Sequence, residues 1–450
     1  MSKLPAFKAY DIRGRLGDEI NRDIAWRIGR AYAQVIKPEK VVLGQDVRLT
    51  SKELSDAVAL GLIDQGVEVY DIGLCGTEEV YFATFEYAMD GGIMTTASHN
   101  PMDYNGMKLV REQSRPIGAD SGLGEIEALV AVDDTNCPAH APQLKPLAHR
   151  EAYIQHLLGY VADFELKPLR IVVNAGNGPA GAIVDALAPH LPFEFIRIQH
   201  EPDGRFPNGI PNPLLPENRQ ATADAVRAHQ ADFGVAWDGD FDRCFLFDEH
   251  GEFIEGYYIV GLLAQALLET HPGSNVIYDV RMTWNTIDIV EAAGGQAIEA
   301  RTGHAFIKQI MRDNNAIYGG EMSAHHYFRD FAYCDNGNIP WLMVAALVSQ
   351  RAAGLSTLVS ERIAAYPSSG EINRTVDDAK STIERVAERY SGEAKAVSRV
   401  DGLSVEFANW RFNLRASNTE PVIRLNVESR ADKALVETKT RELLDLIGGR

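Results

Sequence analysis

Cysteine is scarce in this chain: Cys75, Cys137, Cys244 and Cys334 are the only four in 450 residues, and no two stand in CxxC spacing. That excludes a disulfide framework and a structural zinc site built on paired cysteines. Long hydrophobic runs are missing as well. The longest, Ile259 to Leu268 and Trp341 to Val348, are about half of the ~20 residues that a bilayer-spanning helix needs, so they read as buried helices and no membrane partner is expected. Positive charge is in deficit, with 44 Lys and Arg against 63 Asp and Glu and a net charge of -19. No basic run offsets it, and such a surface repels a phosphate backbone, which excludes nucleic acid as a partner. The opening MSKLPAFKAYDIRG has no apolar segment of the export type, so a cytoplasmic protein is expected. Low-complexity tracts are absent, and 45% hydrophobic with 24% charged residues is the composition of a folded protein.

What is present is a repeated grammar. Strand-like Lys40 to Gly44, a helical segment from Ser51 to Gln65 and strand-like Val67 to Ile72 form one unit. The pattern returns at Leu169 to Val173, Ala180 to Leu191 and Phe193 to Ile198, and again at Asn275 to Val280, Trp284 to Ala293 and Gln296 to Ala300. The last stretch differs: a strand at Glu371 to Val376, a helix at Asp378 to Tyr390, several strands and a closing helix at Asp432 to Ile447. The expected fold class is α/β, three consecutive α/β domains with mixed sheets plus a C-terminal α+β domain. Linkers fall at Asn136 to Pro146, His250-Gly251 and Tyr366 to Gly370, giving domains at 1–143, 144–250, 251–367 and 368–450.

Four polar constellations stand out. In Asp238-Gly239-Asp240-Phe241-Asp242-Arg243, three carboxylates alternate between two strand-like runs, and a curled loop would converge them on a hard cation such as Mg²⁺. Asp238, Asp240, Asp242 and Glu249 also match the first, third, fifth and twelfth positions of an EF-hand loop, but Arg243 replaces the required glycine and the flanks are strand-like rather than helical. Ser98-His99-Asn100-Pro101 follows a strand and precedes Lys108. A serine in such a loop is ordinarily a cap or turn residue, yet His99 and Lys108 add proton-transfer and phosphate-binding chemistry. Gly319-Gly320-Glu321-Met322-Ser323-Ala324-His325-His326 offers side chains suited to sugar hydroxyls, although its histidines could equally be structural or metal-binding. Arg415-Ala416-Ser417-Asn418-Thr419 groups a guanidinium, two hydroxyls and an amide, as a phosphate grip does and as a capped surface turn does. A fifth pattern, Gly176-Asn177-Gly178-Pro179-Ala180-Gly181, has dinucleotide-binding spacing, with Pro179 inside the turn. It leaves a nicotinamide-dependent oxidoreductase as the distant alternative.

With these residues in order along its whole length, the chain resembles the α-D-phosphohexomutase superfamily. The resemblance implies four domains in a heart shape around a central cleft, each giving one loop: the phosphoserine loop at Ser98, the metal loop at Asp238, Asp240 and Asp242, the sugar loop at Glu321, Ser323 and His325, and the phosphate loop at Arg415, Ser417, Asn418 and Thr419. Ala9-Tyr10-Asp11-Ile12-Arg13-Gly14 is similar to the family's opening segment and places Tyr10 and Arg13 near the cleft. Arg301-Thr302-Gly303-His304 is similar to another cleft segment. The resemblance makes Ser98, His99, Lys108 and His304 the catalytic candidates, with Ser98 also a metal ligand. Tyr10, Arg13, Arg243, Thr302, Glu321, Ser323, His325, Arg415, Ser417, Asn418 and Thr419 become substrate-binding candidates. The Gly-Glu-Met-Ser sequence resembles the branch that handles mannose and glucose phosphates. The implied enzyme is an isomerase that uses Mg²⁺ to interconvert mannose 1-phosphate and mannose 6-phosphate through a hexose 1,6-bisphosphate, with a dual mannose and glucose specificity as the nearer alternative.

Overall fold

The computed structural model describes residues 4–416 and 422–448, without the side chain of Asp120. These residues form two compact units: Met1–Phe253 with His325–Gly354, and Ile254–Ala324 with Leu355–Arg450.

The first unit holds two mixed sheets. In one, the spatial order runs Ile12–Arg15, Tyr104–Arg111, Gly91–Thr95, Lys40–Gln45, Glu68–Leu74 and Lys145–Pro146. Gly91–Thr95, Lys40–Gln45 and Glu68–Leu74 are parallel neighbours, while Tyr104–Arg111 runs antiparallel to Gly91–Thr95. The sequence explains the parallel centre. Lys40–Gln45 is apolar on successive residues rather than alternating, as a strand covered on both faces must be, and all of it but Lys40 is buried. Helices Arg22–Ile36 and Ser51–Asp64 help to cover it, with Trp26, Ile28, Leu54 and Val58 in one core with Val41, Leu43 and Ile93. The Asn21 side chain caps the first helix by accepting from Ile24 N at 3.0 Å.

In the other sheet, Arg170–Asn174 lies between Glu194–Ile198 and Phe233–Trp237, parallel to both, and Phe233–Trp237 turns back antiparallel into Cys244–Phe247. This hairpin carries the acidic loop. The two apolar runs without a membrane assignment are buried helices, Gly256–Thr270 and Ile339–Arg351. No single helix among the described residues is long and apolar enough to cross a membrane.

In the second unit, Val276–Asp279 pairs in parallel with Ala297–Ala300 and Tyr318–Gly320. A five-stranded antiparallel sheet follows, in the order Ser368–Thr375, Val422–Ser429, Trp410–Ala416, Leu403–Glu406 and Ala396–Ser398. Helices Ala379–Tyr390 and Lys433–Ile447 share its core through Val386, Tyr390, Val436 and Leu443, so the last stretch has the α+β composition expected of it. The first strand starts at Ser368, three residues before the pattern indicated, because a register shift between Ser368 and Glu371 absorbs Gly370 in a left-handed conformation (φ 66°).

Candidate active site

Ser98 sits where the buried strand Gly91–Thr95 gives way to a loop, and its own backbone is left-handed (φ 48°), a conformation that a non-glycine residue holds only when its surroundings impose it. They do. Thr96 Oγ1 accepts from Ser98 N at 2.8 Å and donates to Asp46 Oδ2 at 2.7 Å. The Arg48 guanidinium, 5% exposed, donates to the carbonyls of Ser98, Asn100, Pro101 and Tyr104 at 3.0, 2.5, 2.9 and 3.1 Å. Arg13 Nη1 holds the Asn100 side chain at 2.8 Å. So held, Ser98 Oγ donates to Asp238 Oδ2 at 2.7 Å and lies 3.0 Å from His99 Nδ1. Burial first, then Arg243 and Arg13, holds the His99 imidazole well below its ordinary range, so its ring is neutral near pH 7.

The acidic loop meets the serine loop at close range. A Cβ on Gly239 would stand 2.4 Å from the Ser98 carbonyl oxygen, so only glycine permits this approach. Asp238, Asp240 and Asp242 are almost fully buried, and one oxygen from each lies within 4.8 Å of the others. The partners of these carboxylates are unevenly distributed. Arg243 Nε and Nη2 donate to Asp238 Oδ2 at 2.9 and 2.6 Å. Thr77 Oγ1 and Lys108 Nζ donate to Asp240 Oδ2 at 2.6 and 2.7 Å, and Lys108 Nζ also reaches Asp242 Oδ2. The Oδ1 atoms of all three are buried with no hydrogen-bond donor among the described residues. Three such buried oxygens on clustered carboxylates cost free energy unless a cation satisfies them, and an all-carboxylate donor set fits a hard divalent ion. The flanks of the loop are strands, so it is not an EF-hand.

The field of the cluster shifts its members apart. Burial and then its neighbour Asp240 raise the Asp242 carboxyl to about 7. Burial also opposes ionisation of Asp240, but Lys108 and Thr77 outweigh it and hold that carboxyl well below the usual range. Lys108 loses to burial and gains more from Asp240 and Asp242, so its ammonium stays charged. His325 belongs here too: Arg243 and His325 form a backbone bridge, His325 Nε2 is 3.7 Å from Asp242 Oδ1, and Asp335 completes a second cluster with this pair. Tyr10 is half-buried just before the strand Ile12–Arg15.

The second unit gathers the remaining candidates. Arg281, 3% exposed, makes a bidentate pair with Asp279 at 3.0 and 2.6 Å and donates to Ser323 Oγ at 3.1 Å. Its guanidinium lies 3.6 Å from both Glu321 and Glu371. Arg415 donates to Glu371 Oε2 at 2.9 Å, and Arg424 stands 3.8 Å from the other oxygen. Glu371 is thereby held below the carboxylate range against the opposing effect of its burial. Gly303 N donates to Glu321 Oε1 at 3.1 Å and Thr302 N to Asp401 Oδ2 at 3.1 Å, which fixes the segment leading into the helix His304–Asp313 that His304 begins. Arg281 and Glu371 thus join the Glu321–Ser323 loop to Arg415. Ser417, Asn418 and Thr419 lie outside the described residues.

The fold therefore brings together Ser98, His99, Lys108, Asp238, Asp240, Asp242, Arg243, Arg13 and His325 in the first unit, and Thr302, His304, Glu321, Ser323 and Arg415 in the second. It divides the Gly-Glu-Met-Ser-Ala-His stretch, whose Glu321 and Ser323 fall in the second unit and His325 in the first. Sequence reasoning missed Asp46, Arg48, Thr77, Arg281 and Glu371. Asp46, Arg48 and Arg281 carried a local signal, an Asp-Val-Arg sequence at the end of a strand in both Asp46–Arg48 and Asp279–Arg281. Thr77 and Glu371 did not, since they bond to Asp240 and Arg415, 163 and 44 residues away.

Family models match almost the entire chain in order: "Phosphoglucomutase/phosphomannomutase, alpha/beta/alpha domain I" over residues 5–136, domain II over 151–251, domain III over 255–366 and the C-terminal domain over 371–445. A phosphomannomutase of Salmonella typhimurium is 61% identical, covering 99% of this chain and 100% of the relative. Proteins of Xanthomonas campestris named phosphohexose mutases are 60% identical at the same coverage. A crystal structure of a phosphoglucomutase/phosphomannomutase family protein from Burkholderia thailandensis aligns with a TM-score of 0.87 and 31% identity, covering 100% of this chain and 99% of that one. The loops assembled here lie on a framework shared over the full length of these relatives, and the chain belongs to the phosphoglucomutase/phosphomannomutase family.

Proposed function

We propose that the protein is a phosphomannomutase, an isomerase that interconverts mannose 1-phosphate and mannose 6-phosphate through an enzyme phosphoserine at Ser98 and a hexose 1,6-bisphosphate. The full-length relatives named phosphomannomutase support the reaction. The observation that carries the mechanism is Ser98 Oγ, in a strained and fully braced loop, 2.7 Å from a carboxylate of a cluster with three buried, unsatisfied oxygens.

In the first half-reaction the Oγ–P bond of phosphoserine breaks and a new P–O bond forms to the free hydroxyl of the hexose monophosphate. That hydroxyl loses its proton and Ser98 Oγ gains one. The second half-reaction reverses this with the other phosphate of the bisphosphate. Asp238, Asp240 and Asp242, with a phosphate oxygen on Ser98, would hold Mg²⁺, which supplies charge neutralisation for the transferring group. Lys108 and Arg243 orient the carboxylates and add positive charge beside them, and Arg13 binds substrate phosphate. His99 and Lys108 are the candidates for the serine proton, His99 Nδ1 lying 3.0 Å from Ser98 Oγ while it also takes a hydrogen bond from Arg243, with His304 the candidate for the sugar hydroxyl. Glu321, Ser323 and His325 hold sugar hydroxyls, Tyr10 and Thr302 line their approach, and Arg415 with Ser417, Asn418 and Thr419 grips the non-reacting phosphate. The working domains are 1–143, 144–250, 251–367 and 368–450, the compartment is the cytoplasm, and the product feeds GDP-mannose and polysaccharide synthesis.

The test is ³¹P NMR of mannose 1-phosphate with Mg²⁺ and a trace of hexose 1,6-bisphosphate, repeated with glucose 1-phosphate. A 6-phosphate signal that grows much faster with mannose supports the proposal, and comparable rates support the dual mannose and glucose enzyme that the name of the Xanthomonas relatives also accommodates. Ser98→Ala is expected to take up no phosphate label and to lose turnover by at least three orders of magnitude; normal turnover in that variant would overturn the phosphoserine route.

A further inference from the structure

The Gly176–Gly181 turn, with its dinucleotide-like spacing, is closed to a pyrophosphate. A Cβ at Gly176 would meet the Pro211 ring at 2.4 Å, and one at Gly178 the Gly239 carbonyl at 3.2 Å. A cavity of about 80 Å³ nevertheless opens beside it, several times the roughly 10–15 Å³ that one water needs.

Its position is informative. The chain leaves Arg170–Asn174 for Glu194–Ile198 on one side, then returns to the other side as Phe233–Trp237, with all three strands parallel. The carboxyl ends of Arg170–Asn174 and Phe233–Trp237 therefore flank a point where the winding reverses, the place where open α/β sheets take ligands. Asn174, Gly176, Ala236 and Trp237 line the cavity there.

Its chemistry is equally specific. Besides Asn174, the polar wall is Gln199, Asn208, Asn212, Glu217 and Asn218, with no Lys or Arg. Two of these amides form the frame: Asn174 donates to Thr222 Oγ1 at 2.9 Å and accepts from Gly176 N at 2.9 Å, while Asn218 donates to the carbonyls of Ile210 and Asn212 at 3.3 and 3.1 Å. Asn208 donates one N–H of its NH₂ group to Asn177 Oδ1 at 2.8 Å, which turns that group toward Asn177 and leaves its oxygen as an acceptor. Asn212 Oδ1 is buried with no donor among the described residues. Gln199 is held left-handed (φ 46°), a conformation that costs free energy at a non-glycine residue. The wall thus lacks cations, is rich in acceptors and contains an aromatic residue, so it suits O–H donors and repels phosphate.

We propose that this crevice is a second binding site, for a neutral polyhydroxylated ligand of hexose size or smaller, separate from the Ser98 centre. The proposal rests on the cavity and its lining and not on the mutase assignment. The test is saturation-transfer NMR of D-mannose, D-glucose and glycerol with the full-length protein, with and without saturating hexose 1,6-bisphosphate. Transfer to at least one of the three is expected to persist with the bisphosphate present. It is expected to fall at least tenfold in Asn212→Leu, which removes the unpaired acceptor and fills the space, and in Asn208→Ala, which serves if the first variant does not fold. Absence of transfer in the presence of bisphosphate, or transfer unchanged in a folded variant, overturns the site and leaves the cavity to ordered water.

Discussion

Arg48 touches no reacting atom, yet four carbonyls of the serine loop depend on its one guanidinium. A lysine has a single ammonium and no planar fork, so Arg48→Lys leaves buried carbonyls unpaired. It is expected to destabilise the protein by about 2 kcal/mol or more, read by urea denaturation, and to slow phosphorylation of Ser98, read by mass. His156 makes a separate prediction. Its ring packs among Phe82, Phe85, Tyr160 and Phe331 at 5.4 to 5.8 Å between centroids, and burial holds its pKa below the ordinary value despite Glu86 and Asp330. A depressed histidine pKa means that the unfolded chain takes up the proton first. Stability is therefore full above about pH 6.5 and declines as pH falls below that value. In His156→Phe, the drop in melting temperature between pH 7 and pH 5 is expected to be smaller than in the unaltered protein.

At the scale of elements, the helix Thr77–Glu86 organises the first unit through its first three side chains. Thr77 binds Asp240 through both its backbone N–H (3.0 Å) and its hydroxyl (2.6 Å). Glu78 accepts from Asn338 Nδ2 at 2.6 Å and from Gly337 N and Tyr153 OH, and Glu79 meets His149 and Arg150 at 2.7 and 2.8 Å. One helix start therefore fixes the acidic loop, the turn after Asp335 and the segment entering the helix Arg150–Gly159. Orienting a ligand carboxylate from outside is worth about 10- to 100-fold in metal affinity. Thr77→Val, which keeps the shape and loses the hydroxyl, is expected to weaken Mg²⁺ activation and direct Mn²⁺ binding about tenfold, and Thr77→Ser to restore both. Equal Mn²⁺ affinity in Thr77→Val and the unaltered protein would show the bond to be structural only.

At the scale of the molecule, a charge of -19 predicts no retention on heparin or duplex DNA at low salt. It also makes the divalent ion a stabiliser of the native state, because the unfolded chain cannot converge Asp238, Asp240 and Asp242. Added Mg²⁺ is expected to raise the melting temperature with its concentration, and EDTA to reverse the shift; a melting temperature indifferent to both would argue against a metal on this loop.

The sequence alone determined the elements and their class. Short apolar runs bounded by turn signals, such as Val41–Leu43, read as strands covered on both faces, and the strand-flanked Asp238–Asp242 loop presents its carboxylates by alternation within five residues. Both are local facts of spacing, so they are legible without coordinates. The tertiary structure decided which charges meet. Lys108 lies 132 residues from Asp240 and Ser98 140 from Asp238, and Thr77 and Glu371 give no local sign of their partners. The boundary between the two compact units also falls inside the sugar-loop candidate, between Ala324 and His325. The physical reason is the same in each case: a buried charge is stable only where folding brings it a partner, and chain distance carries no record of that meeting.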